Sequence, residues 1–214
     1  MNQMLQEPQV QASKVQKSEI PESEVGETEV REPELQASEA TDTPETIDPP
    51  PAPAHPRFNK PQRVAFVQSA WHRDVVEECR VAFLGEIEAR GIARAQVDVF
   101  EVPGSFEIPL HAQILAKTRR YTAIVAAGLV VDGGIYRHEF VADTVIKALM
   151  DVQLRTEVPV FSAVLTPQQF HESAAHFEFF RKHFATKGVE VAEACANTLH
   201  SLERLRGQVA AGIV

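Results

Sequence analysis

Cysteine is scarce in this chain, with only Cys79 and Cys195 among its 214 residues. No CxxC pair and no Cys/His spacing suited to zinc occurs, so the sequence offers no metal site. Each cysteine instead falls on an apolar stripe of helical spacing. Cys79 runs with Val76, Phe83 and Ile87, and Cys195 with Val191, Thr198, Leu202 and Leu205. Both are expected as core thiols that behave as small hydrophobes, which fits a reducing cytoplasm. No apolar run approaches the roughly 20 residues of a membrane span, and none near the start resembles a secretory signal. Basic residues are also few, 21 Lys and Arg against 30 Asp and Glu. A chain so charged has no surface with which to replace phosphate counterions, so nucleic acid is excluded as a partner.

The first 55 residues have no aromatic side chain and carry 12 acidic against 3 basic groups. The remainder carries 18 of each, so the net charge of −9 belongs entirely to this segment. Rich in Glu, Pro, Ser, Thr and Gln, it cannot bury enough surface to offset its chain entropy. Residues 1–57 are therefore expected as a disordered acidic tail, and 58–214 as the folded domain. Pro49-Pro50-Pro51-Ala52-Pro53 supplies a stiff, extended spacer between them.

Beyond the spacer, strands and helices alternate. Arg63–Ser69 is rich in β-formers, and Arg73–Arg90 has helical periodicity closed by Gly91. Val97–Val102 is the next strand. After Pro103-Gly104-Ser105, a helix fits Phe106–Lys117 with Leu110, Ile114 and Leu115 inward and Pro109 tolerated in its first turn. Thr122–Val131 is nearly continuous apolar sequence, as in a central parallel strand covered on both faces. A helix follows over Phe140–Leu154, then a strand over Val158–Leu165. Two helical stretches, about 167–185 and 187–206, are expected to be separated at Gly188. The alternation predicts an α/β fold, a four-stranded parallel sheet with helices on both sides.

In such a sheet ligands sit beyond the carboxyl ends of the strands. The first strand delivers Trp71 and His72 to that rim, the second Gly104 to Glu107, the third Val130 to His138, and the fourth Phe161 and Ser162. Gly133-Gly134 allow close backbone approach, and the helix start beyond them favours an anion. Arg137 adds a fixed charge and His138 a titratable proton. These are the marks of a site for a phosphorylated small molecule that needs proton transfer. Trp71, the only tryptophan, suits stacking on a heteroaromatic ring or packing over its helix start. Glu107 suits either a polyol or the helix dipole.

The run Pro103-Gly104-Ser105-Phe106-Glu107-Ile108-Pro109, together with Gly133-Gly134-Ile135-Tyr136-Arg137-His138-Glu139-Phe140-Val141-Ala142, resembles the lumazine synthases. Trp71-His72 and His171-Glu172-Ser173 resemble the second, decamer-forming type of that family. The resemblance covers about residues 58–206 and implies a three-layer, flavodoxin-like sandwich that assembles as pentamers or decamers, with sites shared between subunits. It implies condensation of 5-amino-6-(D-ribitylamino)uracil with 3,4-dihydroxy-2-butanone 4-phosphate, without metal or organic cofactor, and riboflavin as a further ligand. A flavin- or lumazine-binding protein on the same scaffold is the alternative.

Carried over by position, Trp71 stacks on the pyrimidine, and Ser105, Phe106 and Glu107 bind the ribityl chain. Leu129, Val130 and Val131 read the uracil edge through their backbone. Gly134 and Ile135 supply phosphate-binding amides, and Ser162 contacts the pyrimidine. An ungapped match back from Val141 sets Arg137 opposite the family's catalytic histidine, whereas side-chain chemistry favours His138, so both are candidates. The family's later phosphate-binding arginine has no direct counterpart, and His176, Arg181 or His183 stands in its region.

Overall fold

A computed structural model describes residues 57–132, 137–168, 170–171 and 173–214. The expectations for the acidic tail and for Gly133, Gly134, Ile135 and Tyr136 lie outside the described residues. Four strands, β1 (Val64–Ser69), β2 (Val97–Val102), β3 (Ala123–Leu129) and β4 (Val160–Leu165), form one parallel sheet in the order β2-β1-β3-β4. Four helices connect and flank them: α1 (Arg73–Ala89), α2 (Ile108–Lys117), α3 (His138–Thr156) and α4 (Ala174–Ala210).

The two central strands are buried along their whole length; β3 reads as an unbroken apolar run, and β1 departs from one at Gln68 and Ser69. Alternate residues serve opposite layers. Val64, Phe66, Val125 and Leu129 meet α1 and α4, whereas Ala65, Val67, Ile124 and Ala126 meet α2 and α3. Phe66 and Phe83 lie with ring centroids 5.1 Å apart in the first layer, each worth on the order of 1.5–3 kcal/mol of burial. The result is the expected three-layer α/β/α sandwich.

Two expectations about the helices are corrected. The end of the chain forms one continuous 37-residue helix instead of two. Gly188 does not break it but lets it touch α1: a Cβ at that position would lie 2.3 Å from the Cys79 carbonyl oxygen and 2.8 Å from the Ala82 Cβ. Leu110 and Ile114 do not point inward either; they are 61% and 55% exposed. Ile108, Ala112 and Ala116 are the buried residues of α2. Small alanines let α2 lie close to the sheet, and its larger side chains are left on the outer face. Phe106, Leu110 and Ile114 thereby form a stripe at helical spacing, matched on α3 by Ile146, Met150 and Leu154.

At the amino ends of the strands, Asp98 accepts hydrogen bonds from Arg63 at 2.6 and 2.8 Å and from the Tyr121 hydroxyl at 2.8 Å. Hydrogen bonding from Arg63, above all, holds the Asp98 carboxyl below its ordinary value of 3.8, with Tyr121 adding to the effect and partial burial opposing it. A carboxyl lowered in the folded state contributes stability that is present above the unfolded value and lost as pH falls through the folded one. The melting temperature of the chain should therefore fall as pH drops below about 4. Asp98→Asn should be less stable than the native chain at pH 7 and lose less over that acid window. Parallel melting curves for the two proteins would refute the assignment.

Gly188→Ala should cost about 2 kcal/mol, because overpacking must push α4 off α1 by more than alanine's helix propensity returns. Gly85, also helical, has open space around the same construction, so Gly85→Ala should be neutral or mildly stabilising. Calorimetry on both variants checks the contrast, and equal melting temperatures would show that the helix crossing is not tight.

Candidate active site

Because all four strands run parallel, their carboxyl ends share one rim. At the end of β1, Ser69 is fully buried and its hydroxyl donates to the Trp71 carbonyl at 3.2 Å. The turn is also held by the Ala70 N–H, which donates to the Val102 carbonyl of β2 at 2.7 Å. Trp71 emerges from it 48% exposed, with its ring 4.5 Å from that of His72.

Beyond β2, Ser105 to Glu107 form a single 3-10 turn that leads directly into α2. The Ser105 hydroxyl is buried and has no hydrogen-bond partner among the described residues. It reaches across to β3 because Gly128 carries no side chain: a Cβ there would lie 2.4 Å from Ser105 Oγ. Glu107 does part of what the helix-end reading requires, its Oε2 accepting from the Gly104 N–H at 2.9 Å. Phe106 is exposed beside it. Leu129, Val130 and Val131 have buried side chains, so only their backbone can face a ligand. The Val130 N–H is already used, donating to the Leu165 carbonyl at 2.9 Å.

The two candidates for proton transfer part company at the head of α3. Arg137 caps the helix, is exposed, and sets its guanidinium 5.7 Å from the centre of the Phe140 ring. His138 is the first helical residue, two positions earlier than periodicity suggested, and its side chain is largely covered at 13% exposure. It lines a cavity of about 410 Å³ with Ala142, Thr166, Pro167 and Gln168, and its Nδ1 lies 3.6 Å from Glu139 Oε2.

The head of α4 is dense in rings. His176 accepts the His171 N–H on Nδ1 at 3.1 Å, and Phe170 lies between His176 and His72. Bonding through Nδ1 leaves Nε2 as the protonated, donating nitrogen of a neutral His176. Arg181 is paired with Asp74 at the start of α1, and His183 stacks on Phe179. Of the three residues considered for phosphate, His176 is the one in ring contact with Phe170, which in turn meets His72 beside Trp71.

Ser162 is not brought to the rim. It pairs with Ala126 in mid-sheet, about 10 Å below the last residue of β4, on an exposed part of an edge strand. Sequence reasoning missed Ser69 and Gly128 as site residues. The glycine within an all-apolar strand was the available signal, since a strand-interior glycine often marks a close approach.

A family profile described as 6,7-dimethyl-8-ribityllumazine synthase matches residues 61–203. The chain is 85% identical over 164 residues to 6,7-dimethyl-8-ribityllumazine synthase 2 of Bradyrhizobium diazoefficiens, covering 77% of this chain and 98% of that one. It is 70% identical over 174 residues to the protein of the same name in Rhodopseudomonas palustris, covering 81% and 95%. Identity to 6,7-dimethyl-8-ribityllumazine synthase 1 of Caulobacter vibrioides is 35%, over 68% of this chain and 94% of that one. The matched segment contains the whole sheet, its rim and the head of α4, and a match of that extent and identity places the chain in the 6,7-dimethyl-8-ribityllumazine synthase family.

Proposed function

We propose that the chain is a transferase that condenses 5-amino-6-(D-ribitylamino)uracil with 3,4-dihydroxy-2-butanone 4-phosphate. The product is 6,7-dimethyl-8-ribityllumazine, formed with loss of inorganic phosphate and water in the penultimate step of riboflavin synthesis. The observation that carries this is the 85% identity over nearly all of a relative bearing that name. The reaction joins an amine to a ketone, expels phosphate, removes a proton and closes a ring. Holding the reactants together and moving protons suffices for each step.

The geometry supports roles for several of the described residues. Trp71 offers a flat, half-exposed ring for the pyrimidine, a face that also suits riboflavin as a ligand of the same site. The unpaired, buried hydroxyl of Ser105 gains a partner when a ribityl hydroxyl arrives. Glu107 Oε2 already orders the turn, and Phe106 closes the same side. The backbone carbonyls of Leu129 to Val131 meet the uracil edge, and His176 reaches the phosphate through Nε2; the amides of Gly134 and Ile135, outside the described residues, are assigned to the phosphate by family resemblance alone. His138 carries the proton, and Arg137 contributes its charge to the phosphate. Two unpaired cysteines, both buried, support a cytoplasmic setting; among the described residues no helix is long and apolar enough to cross a membrane.

His138→Ala should lower kcat by roughly 10²–10⁴ with little change in phosphate affinity. Arg137→Ala should instead raise KM for the butanone phosphate more than for the pyrimidine, since a guanidinium stays protonated and is a poor base. Steady-state assays that follow lumazine absorbance separate the two. A kcat loss confined to Arg137→Ala would transfer the catalytic role to that residue, and no turnover by the native chain would favour a flavin-binding protein.

Self-association completes this reading. The apolar stripes on α2 and α3 are large for a monomer's surface, and Ser162 reaches a pyrimidine only if it serves a neighbouring subunit's site. Ile114→Asp, which puts a charge on the stripe, should shift the particle from pentamer or decamer toward smaller species in sedimentation velocity. A native chain that sediments as a monomer at micromolar concentration would remove both the assembly and the shared site.

A further inference from the structure

Among the described residues three that are not glycine have positive φ: His72, Arg119 and Glu157. Arg119 follows the end of α2 and Glu157 caps the end of α3, where the left-handed conformation commonly terminates a helix. His72 lies at the opposite kind of end. It is the N-cap of α1, a position that ordinarily takes extended backbone, yet it has φ 52° and ψ 42°. A side chain bearing a Cβ disfavours that conformation, so its surroundings must hold it there.

They do so from two directions. The His72 carbonyl accepts the N–H groups of Val75 and Val76 at 2.9 and 3.0 Å, which locks the residue to the first turn of α1. Its ring is set between Trp71, 4.5 Å away, and the pair Phe170 and Phe177, at 5.7 and 5.8 Å. Phe170 is buried and Phe177 packs on the core, so one side of the imidazole rests on a fixed wall. Trp71 is half-exposed, and among the described residues His72 is the one ring in aromatic contact with it.

We propose that His72 is a positioning residue for Trp71: its left-handed backbone and its ring, braced on Phe170 and Phe177, fix the indole in the attitude that stacks on the pyrimidine. The role rests on the reading of Trp71 as the stacking ring. It also explains why a strained conformation persists next to the site. With the carbonyl of residue 71 held by Ser69 and that of residue 72 by α1, the imidazole brace leaves the indole little freedom before substrate arrives. Less ordering then remains to oppose binding.

The test uses the full-length chain and His72→Asn, which keeps a residue tolerant of positive φ but provides no ring. Time-resolved anisotropy of Trp71, the only tryptophan, should show a larger fast component in the unliganded variant than in the native protein. KM for 5-amino-6-(D-ribitylamino)uracil should rise roughly two- to tenfold, the size expected for loss of an aromatic contact, with kcat and melting temperature little changed. In a Trp71→Ala background, His72→Asn should raise KM no further. Unchanged anisotropy would overturn the proposal, as would a KM effect that survives in full without the indole. If Trp71→Ala alone left KM unaltered, the stacking reading would fail, and the anisotropy would still decide whether His72 braces the indole. His72→Gly, which accepts positive φ without strain, makes the same measurement should the asparagine variant fail to fold.

Discussion

The contact on which most of the structure depends is the seat of α4 on α1 at Gly188. Only a residue without a side chain allows the two backbones this close, with the Cys79 carbonyl facing the glycine. Held there, α4 runs unbroken for 37 residues, about 55 Å, whereas a six-residue strand spans about 20 Å. The helix therefore overshoots the sheet at both ends. At the rim it brings Phe177 and His176 alongside the turn that follows β1. At the far end, Leu202, Leu205 and Val209 line an apolar cavity of about 600 Å³, and His200 stacks on Phe58 at 3.7 Å. The Arg181–Asp74 and Arg90–Glu193 pairs fix the register of the crossing without contributing much energy at the surface.

The two faces of the sheet are finished to different degrees. On the α1 and α4 side, five phenylalanines (Phe66, Phe83, Phe170, Phe180 and Phe184) fill the layer and the helices are tightly crossed. On the other side, alanines bring α2 close to the strands, Val145, Leu149 and Val152 seat α3, and a row of Leu, Ile and Met is left on the surface. An exposed row of that kind is a cost in a single chain and a gain at an interface. The same asymmetry touches the site, since the edge strand β4 leaves Ser162 outward and far from the rim of its own sheet. Assembly and catalysis therefore draw on the same half of the molecule in the function proposed.

The sheet was legible because its signals are local. A central parallel strand must be apolar on both faces, and Ala123–Leu129 is. A helix end marked by glycine is short-range information, and Gly91 does end α1. What failed depended on contacts across the fold. Gly188 and Gly91 are alike as letters, but one closes a helix and the other admits a neighbouring backbone, a difference that lies in α1 and not in the flanking residues. The periodicity of Leu110 and Ile114 correctly marks one helical face but cannot say whether that face meets its own sheet or another chain. In the site, Trp71 and Ser105 to Glu107 follow directly on the ends of β1 and β2, whereas Ser162 lies short of the rim, because its place was inferred from a strand whose outer end lies three residues further on. The left-handed turn at His72 left no trace in sequence, since histidine adopts it only under the pressure of tertiary packing.

Most polar groups along the rim are already committed to holding shape. Glu107 bonds Gly104, Arg181 bonds Asp74, the Nδ1 of His176 bonds the loop before it, and Ser69 bonds the turn that carries Trp71. Groups so engaged position a substrate but are poorly placed to exchange protons with it, because each transfer would break a bond that orders the site. His138 differs in being largely covered, adjacent to a cavity, and, among the described residues, paired with the solvent-exposed carboxylate of the next residue at 3.6 Å. A reaction whose difficulty lies chiefly in bringing an amine, a ketone and a leaving phosphate together needs little more than one such group. In the function proposed, a rim held by fixed hydrogen bonds, with His138 as its proton carrier, is therefore suited to condensation by proximity.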